Sequence, residues 1–169
     1  LAPALQRLTC SGEPVAVITH SLGGILLRQW LLQHRLPEGS RLIMLAPPNH
    51  GSPIPDTIGH WCLYRLLLGE VGQHLGQSAA AWPQLLSQQE QLLGTQGYPK
   101  LMVIAGTFCT DPWFKPLFKG EPNDGKVSVR STQLPWMEAF SQVPYGHTGL
   151  MWRKPVMQSI LSFLQPLQP

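Results

Sequence analysis

Ser21, His147 and an aspartate at either position 111 or 124 are the residues whose types and order could do chemistry together. A serine hydroxyl is a poor nucleophile until a base takes its proton and a rigid turn fixes its direction. Ser21 follows the apolar run Val15-Ala-Val-Ile18 and precedes Leu22-Gly-Gly24 and the helical pattern Ile25 to Leu32. Strand, sharp turn and helix in that order make a nucleophile elbow, which holds the hydroxyl out at the top of a sheet. Small residues are needed there because strand and helix backbones nearly touch, and Gly23 and Gly24 meet that need. Thr19 replaces the first glycine of the G-x-S-x-G pattern. A plain helix N-cap serine is the competing reading of Ser21.

The base must come from a loop that reaches back over the nucleophile. His147, in Val143-Pro-Tyr-Gly-His-Thr-Gly-Leu150, is so placed between a short strand and the closing helix. His20 adjoins the nucleophile, so its side chain is expected to point away and to be structural. His34 lies at a helix end, where a partial charge suits the dipole. His50, His60 and His74 match no metal spacing. The acid has two candidates on residue pattern alone. Asp111 follows the third strand in Thr107-Phe-Cys-Thr-Asp-Pro-Trp113, and Asp124 sits in Asn123-Asp-Gly-Lys-Val127. Either is also an ordinary turn residue before Pro or Gly. The acid must be held rigidly, since it fixes the imidazole tautomer and stabilises the imidazolium.

The elements that position these residues follow from hydrophobic pattern. Val15 to Ile18, Arg41 to Ala46 and Leu101 to Gly106 are apolar runs without polar alternation, as expected of parallel strands covered on both faces. Leu1 to Leu8 reads as the end of a helix, Ser11 to Pro14 as a loop, and Ile25 to about His34 as a helix stopped at Pro37-Glu38-Gly39. Residues 49–97 hold no convincing strand and suggest helices near Cys62 to Leu68 and Trp82 to Leu93. Residues 107–135 read as a long proline-bearing loop, with a β-rich stretch after Asp124. A short strand spans Ala139 to Val143, and Pro155 to Leu164 closes the chain with proline in its first turn. Strands separated by helical segments indicate an α/β domain with a parallel sheet, whose function collects at the carboxyl ends of the strands. Serine, acid and histidine fall there in the order expected for α/β-hydrolases.

Composition narrows the possibilities. The 169 residues are 43% hydrophobic and 12% charged, with a formal net charge of +3. That supports one domain with a real core. Arg28, Arg35 and Arg41 are dispersed, and the absence of a basic block argues against nucleic-acid binding. Cys10, Cys62 and Cys109 are odd in number and widely spaced. They are expected to be three buried reduced thiols rather than a metal set or a disulfide framework. No run of 18 apolar residues suggests a membrane span. The expected location is the cytoplasm, no cofactor is called for, and the oligomeric state is left open.

Five blocks, taken together, resemble a known family. They are Thr19-His-Ser-Leu-Gly-Gly-Ile25, Leu45-Ala-Pro-Pro-Asn-His-Gly-Ser52, Val103-Ile-Ala-Gly106, Asn123-Asp-Gly-Lys-Val-Ser-Val129 and His147-Thr148. In this order the chain resembles the small bacterial lipase/esterase-like members of the α/β-hydrolase superfamily, of the PGAP1-related group. The resemblance implies an α/β-hydrolase fold over residues 1–169, with a helical cap at 53–97. It implies that the acid is Asp124, completing a set of Ser21, Asp124 and His147. It also implies that a first position other than glycine is common at the elbow. The substrate class implied is a small-molecule or lipid ester. One oxyanion donor would be the backbone N–H of Leu22. The other normally comes from a His-Gly loop after an earlier strand, and no such motif precedes Ser21. The resemblance therefore implies at least two further strands and a helix ahead of Leu1, and weak or no esterase activity in this chain by itself.

Within the suggested cap, Trp61, Leu66, Leu67 and Trp82 are candidates to line an acyl pocket, with Trp113 and Phe114 from the far loop. Asn49 to Ser52 is expected near the site by its place in the fold, with Asn49 as a substrate contact. Two alternatives stand beside an ester hydrolase: an acyltransferase or amidase using the same three residues, and a catalytically dead binding fragment.

Overall fold

The computed structural model describes residues 9–53 and 99–165, together with Leu5, Arg7, Gln88 and Gln91. The expected cap at 53–97, with Trp61, Leu66, Leu67 and Trp82, therefore lies almost wholly outside the described residues, as does Cys62.

Among the described residues four strands form one sheet in the order β1 (Ala16–His20), β2 (Arg41–Leu45), β3 (Lys100–Gly106), β4 (Ala139–Val143). Every pairing is parallel, with Ile18 opposite Ile43, Ile43 opposite Met102 and Ile104 opposite Ser141. Strand order follows chain order, so each connection must cross over a face of the sheet. The apolar runs anticipated from sequence are these strands, displaced by one or two residues at their ends.

Helix α1 (Leu22–Leu31) covers one face. Leu27, Trp30 and Leu31 pack with Leu42, Met44, Leu101 and Val103, and Leu5 and Leu134 close that core. On the opposite face, α3 (Lys154–Leu164) lays Val156 and Ile160 against Ile43, Leu45, Met102, Ile104 and Val143. The alternation of side chains along a strand explains the division, since odd and even positions of β2 serve different helices. Each of these fully buried aliphatic side chains contributes roughly 1.5–3 kcal/mol relative to exposure.

Strand β1 departs from the sequence expectation. Among the described residues it pairs with β2 alone, and Ile18 is 51% exposed. Ile18 shares the α3 face with Ile43, but α3 lies over β2, β3 and β4 and leaves this end of the sheet open.

The stretch after Asp124 differs too. Asn123 and Ser128 form a single antiparallel bridge, after which Val129–Thr132 is a short helix, α2. The Ser128 hydroxyl accepts from Ser131 N–H at 3.2 Å, so a side-chain cap turns the chain into a helix despite the β-branched Val129. Before it, Pro112–Phe118 is a 3₁₀ helix. Cys10 is exposed in a turn and Cys109 is partly buried, both free. The expectation of a buried thiol therefore fails at Cys10, because it lies in the turn after the first helical residues rather than in a packed element.

Candidate functional site

The elbow forms at the carboxyl end of β1. Ser21 has φ 52° and ψ −126°, a conformation that residues with a Cβ rarely adopt. It is held there by its own N–H, which donates to Leu45 O at 2.8 Å, and by its carbonyl, which accepts from Gly24 N–H at 3.0 Å. Helix α1 begins at the next residue, Leu22. Its close approach to the sheet depends on Gly24, where a Cβ would meet Pro47 Cβ at 3.1 Å. Ser21 occupies the N-cap position of α1, yet its side chain makes no capping hydrogen bond. The hydroxyl is used elsewhere.

Its partner is His147. The imidazole Nε2 lies 2.9 Å from Ser21 Oγ, and Nδ1 lies 2.8 Å from Asp124 Oδ2. Asp124 is fully buried, and its other carboxylate oxygen accepts from Lys126 N–H at 2.9 Å and Val127 N–H at 2.8 Å. The carboxylate is thus fixed by the backbone of its own turn. A carboxylate accepts only, so Nδ1 carries a proton and Nε2 is left as the acceptor facing the Ser21 hydroxyl. In this arrangement an imidazole can remove a hydroxyl proton while the carboxylate stabilises the cation that forms.

The two supporting loops are locked together. His147 N–H donates to Asp124 O at 3.0 Å. Both loops also crowd the end of β3. A Cβ on Gly106 would collide with the Tyr145 carbonyl and come within 2.8 Å of Asp124 Cβ. Gly106 is therefore the contact point on which the turn of the acid and the loop of the base converge. Sequence reasoning recorded it as the end of a strand and missed this role. A glycine closing an otherwise bulky apolar strand was the available signal.

Asp111, the other acid candidate, turns elsewhere. Its carboxylate pairs with Lys126 Nζ at 3.1 Å, and Lys126 also lies over the Phe114 ring at 5.1 Å. Phe114 is thus partly covered, while Trp113 is 72% exposed. Asn49 is completely buried, with Oδ1 and its backbone O accepting from Arg28 Nη1 at 3.1 Å and Nδ2 donating to Thr132 O at 2.7 Å. It braces the loop after β2 against α1 and α2. Ser52 likewise donates to Lys126 O at 2.6 Å.

His20 overturns its sequence reading. Instead of pointing away, its Nε2 lies 2.9 Å from the His147 carbonyl, and the two rings are 4.8 Å apart. Burial, more than the neighbouring His147, pushes its pKa below the ordinary 6.5; the hydrogen bond to the carbonyl and the Asp124 charge oppose that shift. Among the described residues no group of histidine, cysteine and carboxylate side chains could hold a metal ion. Nor is any described helix long and apolar enough to cross a membrane.

By sequence, no family model and no curated protein matches the chain. Solved structures do. Lipase BlEst2 of Bacillus licheniformis in its propeptide form superposes with a TM-score of 0.69 at 21% identity, covering 95% of this chain and 38% of that one. The mature form gives a TM-score of 0.58 at 19% identity, covering 96% and 71%. Phospholipase PlaB of Legionella pneumophila gives 0.56 at 26% identity, covering 78% and 31%. The chain thus spans under two fifths of the propeptide-form lipase. With its parallel sheet, flanking helices and elbow at the carboxyl end of β1, the chain has an α/β-hydrolase fold similar to that of these lipases.

Proposed function

We propose that this chain carries the reaction centre of a serine hydrolase acting on carboxylic esters. The observation that carries the reading is the continuous hydrogen-bonded path from Asp124 through His147 to Ser21, ending on a serine held at φ 52°. A serine serving only as a helix cap has no need of that backbone conformation, nor of an imidazole on its hydroxyl.

The roles follow from the atoms. His147 Nε2 accepts the Ser21 proton as Oγ attacks the ester carbonyl. The tetrahedral oxyanion is met by the Leu22 backbone N–H at the start of α1, a donor of a kind worth roughly 10²–10³ in rate. Collapse returns the proton from His147 to the departing alcohol and leaves an acyl group on Ser21. Water, deprotonated by the same nitrogen, then releases the acid. Asp124 holds the tautomer and offsets the charge on the imidazolium. The printed names of the structural neighbours, lipase and phospholipase, favour a small-molecule or lipid ester as substrate.

A fluorophosphonate probe tests the reading. We use both the 169-residue chain and the full product of the gene that encodes it. The expected result is an adduct on Ser21 that is lost in Ser21→Ala and His147→Ala, with turnover of a short-chain p-nitrophenyl ester by the unlabelled protein that the probe abolishes. Absence of the adduct in both, with the fold intact, overturns it.

A further inference from the structure

His20 ends β1 one residue before Ser21, while His147 lies in the loop after β4, and the two meet through a hydrogen bond spanning 127 positions of sequence. The bond runs from the His20 ring to a backbone carbonyl, at 2.9 Å. A carbonyl only accepts, so Nε2 of His20 must carry hydrogen. The rings of His20 and His147 sit 4.8 Å apart, tilted by 51°, so the contact is with the body of the base as well as its backbone.

These contacts complete a triangle of fastenings. The N–H of His147 donates to the Asp124 carbonyl, which ties base to acid. The Asp124 carboxylate is tied to its own turn through Lys126 and Val127. His20 supplies a tie between the base loop and the strand that bears the nucleophile. We propose that His20 is a positioning residue, donating from Nε2 to the His147 carbonyl so that the base is held over Ser21. This rests on the serine-hydrolase reading for its effect on rate, though the tether itself does not.

Neutrality has its own use. Among the described residues, the titratable groups acting on His20 are His147 and Asp124. When His147 takes the serine proton it becomes a cation, and a second cation 4.8 Å away would oppose that step. A neutral His20 leaves the step unopposed, and burial favours that form by lowering its pKa. The same ring therefore serves as hydrogen-bond donor without adding a charge beside the base.

Two variants separate these contributions. His20→Gln keeps an N–H at comparable reach but does not titrate; His20→Phe keeps a ring and loses the donor. With the fold retained, His20→Phe is expected to slow fluorophosphonate labelling of Ser21 on the order of 10²-fold, the loss that a misplacement of ~1 Å causes. His20→Gln is expected to recover most of that loss and to lose the His20 contribution to the acid limb of the rate profile. In parallel, ¹⁵N-imidazole NMR of the unsubstituted chain reads the tautomer directly. We expect Nε2–H for His20, and a displaced His147 resonance in His20→Phe that returns in His20→Gln. An Nδ1–H tautomer at His20, or wild-type labelling by folded His20→Phe, overturns the proposal. Should His20→Phe fail to fold, the tautomer decides. If Ser21 of the unsubstituted protein takes no label while the tautomer and resonance shifts are found, the hydrolase reading falls and the tether stands.

Discussion

Replacing Gly106 by alanine adds one methyl group at the point where the loops of acid and base converge. The new Cβ would overlap the Tyr145 carbonyl and lie 2.8 Å from Asp124 Cβ, both parts of the supporting structure of the site. Neither can yield cheaply. The Tyr145 carbonyl accepts from Phe108 N–H at 3.4 Å, and Asp124 is fixed by two backbone donors and is fully buried. To reach the 3.4 Å of ordinary contact, Asp124 must retreat by about 0.6 Å. A retreat of that size along the hydrogen bond takes the 2.8 Å contact between His147 and Asp124 to about 3.4 Å, beyond a good N–H···O bond. Overpacking of this kind costs about 1–3 kcal/mol, or about 2–4 °C in Tm for each kcal/mol in a domain of this size. Misplacement of the relay should cost on the order of 10² in labelling rate. Gly120→Ala is the control, since at φ 85° it strains the backbone but has no neighbour within 4 Å of the new atom. It should lower stability and leave the labelling rate alone. Calorimetry on both variants, with time-resolved fluorophosphonate labelling, checks the pair. A Gly106→Ala protein that melts and labels like the parent would refute the claim that this contact sets the relay.

Other outcomes follow from the same geometry. Asp124→Asn should fold with little change in shape, yet lose on the order of 10⁴ in ester turnover because an amide favours the wrong imidazole tautomer; a small loss in steady-state kinetics would remove Asp124 from the relay. Ser21→Gly should be more stable than Ser21→Ala by roughly 1–3 kcal/mol in urea denaturation, because glycine accepts φ 52° without strain, and equal stability would mean that no strain is stored. His20 should make stability rise with pH. Its folded pKa is depressed, so between that value and 6.5 the unfolded chain binds the additional proton; the contribution is complete above 6.5 and is lost as pH falls through the folded pKa. Urea midpoints measured across that window should show a shallower slope in His20→Gln, and identical slopes would exclude this residue as the source.

The strands and the elbow were readable in the residues because both are local. Arg41–Leu45 and Leu101 to Gly106 are buried by position in the sheet, and a run of apolar residues from Leu42 and from Leu101 is the direct imprint of that burial. Ser21, with Gly23 and Gly24 close behind it, announces a tight turn for the same reason. Helix α2 was misread because valine favours strands, while the Ser128 cap that starts the helix acts through one hydrogen bond that pattern does not weigh. The open face of β1 was missed because an apolar run reports the nature of a strand and not how far a distant helix extends over it.

The choice of acid shows where local information ends. Asp111 and Asp124 both stand in turns, and residue pattern alone left them equal until a resemblance favoured Asp124. In three dimensions Lys126 takes the Asp111 carboxylate, while its own backbone N–H helps to fix Asp124. His20 makes the same point more sharply. From sequence it is the neighbour whose side chain should turn away, but the loop after β4 returns across the end of the sheet and brings the His147 carbonyl to it. Sequence by itself determined the four strands and the two long helices, the tight turn at Ser21 and the set of candidate site residues. Only the tertiary structure decided which carboxylate meets the imidazole and what holds that imidazole over the serine. Those decisions depend on contacts between segments more than twenty to more than one hundred positions apart, where the pairing energy belongs to the folded arrangement and leaves no periodic trace in the chain.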